Sequence, residues 1–292
     1  MLVDAIDHVI LPVTDAHAAA EPFARLGLNL FPGTRHQDAG TENRGFFVGD
    51  AANGFYVEAL GITDRAAALR AHGEPLLAAA DAGRGLSGVV LRTGDLAAAA
   101  TRLKAHGLDC QVREVRGADG TKICDLATVR GAHANAVGLR LIQYFPSHEE
   151  RWARRESAGL TAHAFPLKRL DHLAVIAPDL EGDTRFWREV MEAPLAGEVS
   201  SPAMRIRQIG IGDAMLELLG PASPDSPLAS RPPGLVSVIA FEVADLDAAL
   251  TEARRRGFNP SPAEPGVLPG TRRAVIQPAE FSGITLQLLQ YV

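Results

Sequence analysis

Cysteine is almost missing from this chain. Cys110 and Cys124 are the only two in 292 residues, and they do not form a CxxC pattern. That excludes a disulfide framework and a cysteine-built metal centre. Cys124, within GTKICDLATV, reads as a small buried hydrophobe rather than a nucleophile. An excess of positive charge is missing too. The formal net charge is −6 and no block of lysine and arginine stands out, so nucleic acid is not an expected partner. The arginine run at 254–256 falls at the end of a predicted helix, where it complements the helix dipole. No apolar run approaches the roughly 20 residues of a membrane span, so no membrane partner is expected. The start, MLVDAIDHV, lacks the basic residues and long apolar stretch of a secretory signal, which predicts a cytoplasmic setting. Also missing are a P-loop, a dinucleotide glycine fingerprint and a GxSxG elbow.

Apolar residues are plentiful. They make up 47% of the chain, enough for a sizeable core and, at this length, for two domains. The chain also repeats itself. IDHVILPVTD, residues 6–15, and LDHLAVIAPD, beginning at Leu170, are apolar strands with one Asp-His pair each. Each runs into an acidic or threonine start and then a helix-like segment. Short strands follow, ending in VGDAANGFYVEALG and IGIGDAMLELLG, so Glu58 and Glu217 stand at matching places.

A second kind of unit comes after each of these. GVVLRTGDLAAAATRLKAHGLD matches VIAFEVADLDAALTEARRRGFN. Leu96, Ala99, Ala100 and Leu103 mark one apolar helix face, and Leu246, Ala249, Leu250 and Ala253 mark another. Gly107 and Gly257 sit where a helix ends in a left-handed turn. The units close with GLRLIQYF and GITLQLLQYV. The chain therefore reads as four units of strand, helix and about three strands, in the order A, B, A′, B′. A helical insertion is expected at about 63–85. Its counterpart, PASPDSPLASRPPG, reads as a loop. The charged stretch 147–169 lies outside the repeat and reads as a connection, helical in part, between a domain at 1–146 and another at 170–292.

Tandem βαβββ units with an Asp-His first strand and a glutamate on the last strand resemble the vicinal oxygen chelate superfamily, which includes glyoxalase I, bleomycin-resistance proteins, methylmalonyl-CoA epimerase and type I extradiol dioxygenases. The first half, with PGTRHQDAGTENRGFFVGD and YVEALG, resembles its glyoxalase-like branch. The resemblance covers nearly the whole chain apart from the connection. It implies an α+β fold of four modules in two domains, each a curved mixed sheet forming a cleft. It also implies a divalent metal (Fe, Mn, Ni or Zn) held by up to four side chains from first and last strands. Side chains alternate along a strand, so His8 shares a face with Ile6 and Ile10. A histidine and a carboxylate on neighbouring strands can then converge on one ion and leave positions open for substrate oxygens.

Carried over residue by residue, A offers His8 and Glu58, and A′ offers His172 and Glu217. The second units depart from the pattern. Gly88 and Val238 stand where the family has its histidine, and Arg140 and Gln287 where it has its glutamate. Exchanging partners, A with B′ and A′ with B, restores no histidine. The expectation is at most a weakly held ion near His172 and Glu217, with Gln287 as a neutral oxygen ligand. In the first half Arg140 is expected to pair with Glu58 or to receive an anionic group, leaving His8 a polar cleft residue. His36, Asn43 and Arg44, from RHQDAGTENR, are further candidate ligand contacts. Glu58 and Glu217 are the candidate catalytic carboxylates, because an inward carboxylate in mid-strand must meet a donor, a cation or a metal. The resemblance implies an enzyme of lyase, isomerase or dioxygenase type acting on a small oxygenated metabolite. The alternative is a non-catalytic binding protein of the bleomycin-resistance kind. An exposed sheet edge would also permit a homodimer.

Overall fold

The computed structural model describes residues 1–83, 85–117 and 119–292. The first module runs β1 (Ala5–Val13), α1 (Ala16–Leu26), β2 (Leu30–His36), β3 (Thr41–Val48) and β4 (Phe55–Ile62). Two helices, α2 (Arg65–His72) and α3 (Glu74–Ala82), occupy the expected insertion, of which residue 84 lies outside the described residues. The second module is β5 (Gly88–Arg92), α4 (Leu96–Ala105), β6 (Asp109–Arg116), β7 (Lys122–Arg130), a short α5 (Ala132–Ala136) and β8 (Arg140–Tyr144). The connection contains α6 (His148–Ser157). The third module is β9 (Leu167–Ile176), α7 (Leu180–Arg185) with a π-helical turn after it, β10 (Leu195–Ser200), β11 (Met204–Ile211) and β12 (Ala214–Pro221). The fourth is β13 (Gly234–Val243), α8 (Leu246–Arg255), β14 (Glu264–Pro265), β15 (Thr271–Ile276) and β16 (Thr285–Tyr291).

Local chemistry explains the helix starts. Asp15, Asp95 and Asp245 each accept backbone N–H bonds from the first turn of the helix that follows. The predicted apolar faces of α4 and α8 are all buried. The Gln-Tyr pair that closes each half has a use in both positions. Gln143 accepts from Leu96 N–H at 3.0 Å and donates to Gly94 O at 2.7 Å. Gln290 does the same with Leu246 N–H at 3.2 Å and Ala244 O at 3.1 Å, so each glutamine ties its strand to the start of a helix. Tyr144 donates to Asp7 at 2.7 Å, and Tyr291 to Asp171 at 2.8 Å. The aspartate of each Asp-His pair is thus a buried anchor for the closing tyrosine.

The strands form two mixed eight-stranded sheets with the same order, β2-β3-β4-β1-β5-β8-β7-β6 and β10-β11-β12-β9-β13-β16-β15-β14. This is an α+β fold of four βαβββ modules. By compactness the chain divides into two units. One gathers residues 1–7, 88–151 and 172–236; the other gathers 8–87, 152–171 and 237–292. The division falls between Asp7 and His8, and again between Asp171 and His172.

Candidate functional site

In the second unit, β1 and β4 run parallel with His8 beside Tyr56 and Ile10 beside Glu58. The imidazole Nε2 lies 3.7 Å from one carboxylate oxygen of Glu58, and both side chains are buried. That is too long for a direct hydrogen bond, and both groups can reach a third atom placed beside them. The other oxygen of Glu58 accepts from the amide of Asn43 at 2.7 Å. Asn43 has no choice of orientation, because its own oxygen accepts from Thr34 N–H at 2.9 Å. Its NH₂ must therefore face the carboxylate. Gly45 stands directly opposite Glu58 on β3. A Cβ there would lie 1.8 Å from the Val57 carbonyl, so the close strand contact next to the carboxylate requires glycine. The His8 ring stacks on Tyr56 with centroids 4.2 Å apart.

The first unit repeats this arrangement with the same register. His172 lies beside Met215, and Ala174 beside Glu217. His172 Nε2 is again 3.7 Å from one oxygen of Glu217, and Gln208 donates to the other at 2.9 Å. Gln208 stands directly opposite Glu217 on β11, whereas Asn43 reaches Glu58 from two residues along β3. Two different amides at two different rungs do the same work. Gln208 was missed by sequence reasoning. The Gly212-Asp213 turn between β11 and β12 could have found it, since closing that hairpin sets Gln208 against Glu217.

The other expected residues fall as follows. His36 sits at the hairpin end of β2, opposite Thr41, and contacts its hydroxyl at 3.0 Å. Alternation along β3 puts Thr41 and Asn43 on one face and Arg44 on the other. Arg44 donates to Pro32 O at 3.0 Å and does not join Glu58. Arg140 opens β8 beside Val90, and its guanidinium donates to Gly138 O at 3.4 Å. Gln287 is buried in mid-β16 beside Ala240. Arg140 and Gln287 each belong to a different unit from the His–Glu pair with which the sequence associates them.

The buried aspartates differ in their cations. Asp7 has Arg92 at 3.9 Å. In the second half the residue aligned with Arg92 is Glu242, and it pairs with Arg169 at 2.6 Å, while Arg169 also lies 3.6 Å from Asp171. A recess of about 380 Å³ in the first unit is lined by His106, His133, Asp179 and Arg185 among others, and by neither His172 nor Glu217. Cys124 is buried, and burial pushes its thiol up to about 11, so it is no nucleophile at neutral pH.

A histidine nitrogen and a carboxylate oxygen 3.7 Å apart can both reach one ion at the usual distances of about 2.0–2.2 Å. Among the described residues no group of three or more His, Cys, Asp and Glu side chains could hold a metal ion. No helix among them is long and apolar enough to cross a membrane.

Comparison with known proteins agrees with this architecture. Residues 6–169 match the family described as Glyoxalase-like domain, and residues 169–288 match the Glyoxalase/Bleomycin resistance protein/Dioxygenase superfamily. The human mitochondrial methylmalonyl-CoA epimerase is 26% identical over 171 residues, which cover 56% of this chain and 97% of that protein. The ethylmalonyl-CoA/methylmalonyl-CoA epimerase of Cereibacter sphaeroides is 29% identical over 131 residues, covering 42% and 97%. Among solved structures, a mutant of 4-hydroxymandelate synthase from Streptomyces coelicolor shares the fold with a TM-score of 0.63 at 16% identity, covering 100% of this chain and 93% of that one. A hypothetical protein from Staphylococcus aureus does so with a TM-score of 0.65 at 11% identity, covering 98% of both chains. The chain belongs to the vicinal oxygen chelate superfamily, with a glyoxalase-like first half and a glyoxalase/bleomycin-resistance/dioxygenase-type second half.

Proposed function

We propose that the chain is an enzyme that moves a proton on the carbon next to a carbonyl group of a small oxygenated metabolite. The observation that carries this reading is the twice-built carboxylate, with one oxygen held by an amide and the other facing an imidazole. A fixed carboxylate beside a second polar group is the arrangement a general base needs. The Oε2 atom of Glu58 or Glu217 takes the proton from carbon. The electron pair of the broken C–H bond moves onto the carbonyl oxygen as an enolate. The neighbouring histidine, in the tautomer with its proton on Nε2, donates to that oxygen, and the proton then returns to carbon. Asn43 and Gln208 keep each carboxylate aimed. A divalent ion, where bound, would polarise the carbonyl. Two donors per cluster are only part of a tight site, so no step is assigned to it.

The epimerase names among the relatives favour proton transfer over other chemistries of the superfamily and suggest an acyl thioester as substrate. The test is deuterium exchange. Purified protein with methylmalonyl-CoA in D₂O should wash deuterium into the position next to the carbonyl, read by NMR. Binding without any exchange would favour the non-catalytic binding protein instead.

A further inference from the structure

The two faces of the first module are covered by different elements. On β3, Phe46 packs against Phe23 of α1, with ring centroids 5.0 Å apart. Its neighbour Phe47 points the other way, toward the face that carries Gly45, Tyr56 and Glu58. That face is met by the connection. Trp152 of α6 is fully buried, with its ring 6.1 Å from Phe47. It forms one cluster with Phe31 and Phe47, against which Tyr56 and Leu160 pack. The part of α6 from Trp152 onward therefore lies on the face that carries His8, Glu58 and Asn43.

One charged group comes with it. The Arg155 guanidinium lies 4.1 Å from the Phe47 ring centroid, with Trp152 at 5.6 Å and Tyr56 at 5.9 Å. Tyr56 is the ring on which His8 stacks. Stacking of this kind uses the flat face of a guanidinium and leaves its in-plane N–H groups unanswered. Among the described residues no carboxylate or carbonyl accepts from them. The nearest acid in sequence, Glu156, accepts instead from the Trp152 indole at 3.0 Å. Arg155 is thus a charged fork held by aromatic rings, half-exposed, on the site face, with its donors open. A planar oxyanion is the ligand that matches such a fork, through two parallel hydrogen bonds.

We propose that Arg155 is the anion-binding residue of the first-module site, and that the ligand of this site carries a carboxylate. The proposal rests on the reading of His8, Glu58 and Asn43 as a ligand site. It makes the connection a working part of that site, where the sequence suggested only a connection between domains, and it gives Arg155 one of the two roles that the sequence left open for Arg140.

Malonate serves as a non-reactive probe, so that binding and turnover are measured apart. Trp152 fluorescence in a W187F background, checked by calorimetry, reads the binding. The wild type should bind malonate, and Arg155→Gln should weaken binding at least ten-fold. Arg154→Gln, one residue away and exposed, should leave it unchanged. Glu58→Gln should retain malonate binding while losing any exchange chemistry, so failure of the base assignment leaves a different signature from failure of the anion site. Arg155→Lys, which keeps the charge but not the two-pronged fork, should keep part of the affinity that Arg155→Gln loses. Absence of malonate binding in the wild type, or equal binding by wild type and Arg155→Gln, would overturn the proposal.

Discussion

Histidine in this chain does two kinds of work, and the neighbours decide which. His8 and His172 face carboxylates across a 3.7 Å gap. His163, in the connection, is purely structural. Its Nδ1 accepts from Asn29 N–H at 3.0 Å, so the ring proton sits on Nε2 and is donated to Phe47 O at 2.5 Å. Burial holds its pKa below the ordinary histidine value, with the bond to Phe47 pulling the other way. Such a depressed histidine adds stability that is complete above the unfolded value of about 6.5 and is lost as pH falls through that value toward the folded one. We expect His163→Asn to lower the urea midpoint at pH 8, with the gap to wild type narrowing at pH 5.5. A gap independent of pH would remove the neutral-histidine account. At this scale the sequence was partly readable. Glu58 and Glu217 were visible because each lies in mid-strand after a Gly-Asp turn. The role of Asn43 was visible only as polarity in a loop-like stretch. The orientation of Arg44 was not visible, because it depends on the register of β3 against β4.

Elements carried the clearest sequence signals where the period was long. The apolar faces of α4 and α8 are where the pattern put them, and of the threonine or acidic start expected before α1 it is Asp15 that caps the helix. The repeat of a whole strand register was also legible, because a one-residue slip would turn His8 and His172 to the opposite face. The connection was not. It read as a connection, helical in part, with no sign that it buries anything, yet Trp152 and Phe165 are fully buried. One tryptophan among charged residues gives no period to read; only the partner surface shows its use. Part of that surface is Gly54, where an added Cβ would lie 2.1 Å from the Trp152 ring. Neither the ring nor the strand can give that much room. Gly54→Ala should therefore destabilise the protein by about 1–3 kcal/mol, the usual range for overpacking. Thermal melting checks this, and a Trp152→Ala background should relieve most of the added penalty. An unaltered melting temperature in Gly54→Ala would mean that α6 is not seated as described.

At the scale of the whole molecule, the same arrangement of histidine, glutamate and amide is built twice in different surroundings. Tyr56 lies beside His8 and Met215 beside His172; Asn43 serves one carboxylate and Gln208 the other. Arg92 near Asp7 becomes Glu242, and the cation moves to Arg169. Such exchanges preserve charge balance around each buried aspartate without preserving sequence, so aligning Arg92 with Glu242 did not reveal that the cation comes from Arg169 instead. The same differences separate the two clusters experimentally. Deuterium exchange next to the carbonyl of methylmalonyl-CoA, measured for the wild type, Glu58→Gln, Glu217→Gln and the double variant, tests the central claim most directly. Each single replacement should remove the share of exchange its cluster supplies, and the double variant should fall to the uncatalysed rate. Exchange by the double variant at the wild-type rate would contradict the claim that these two carboxylates are the bases.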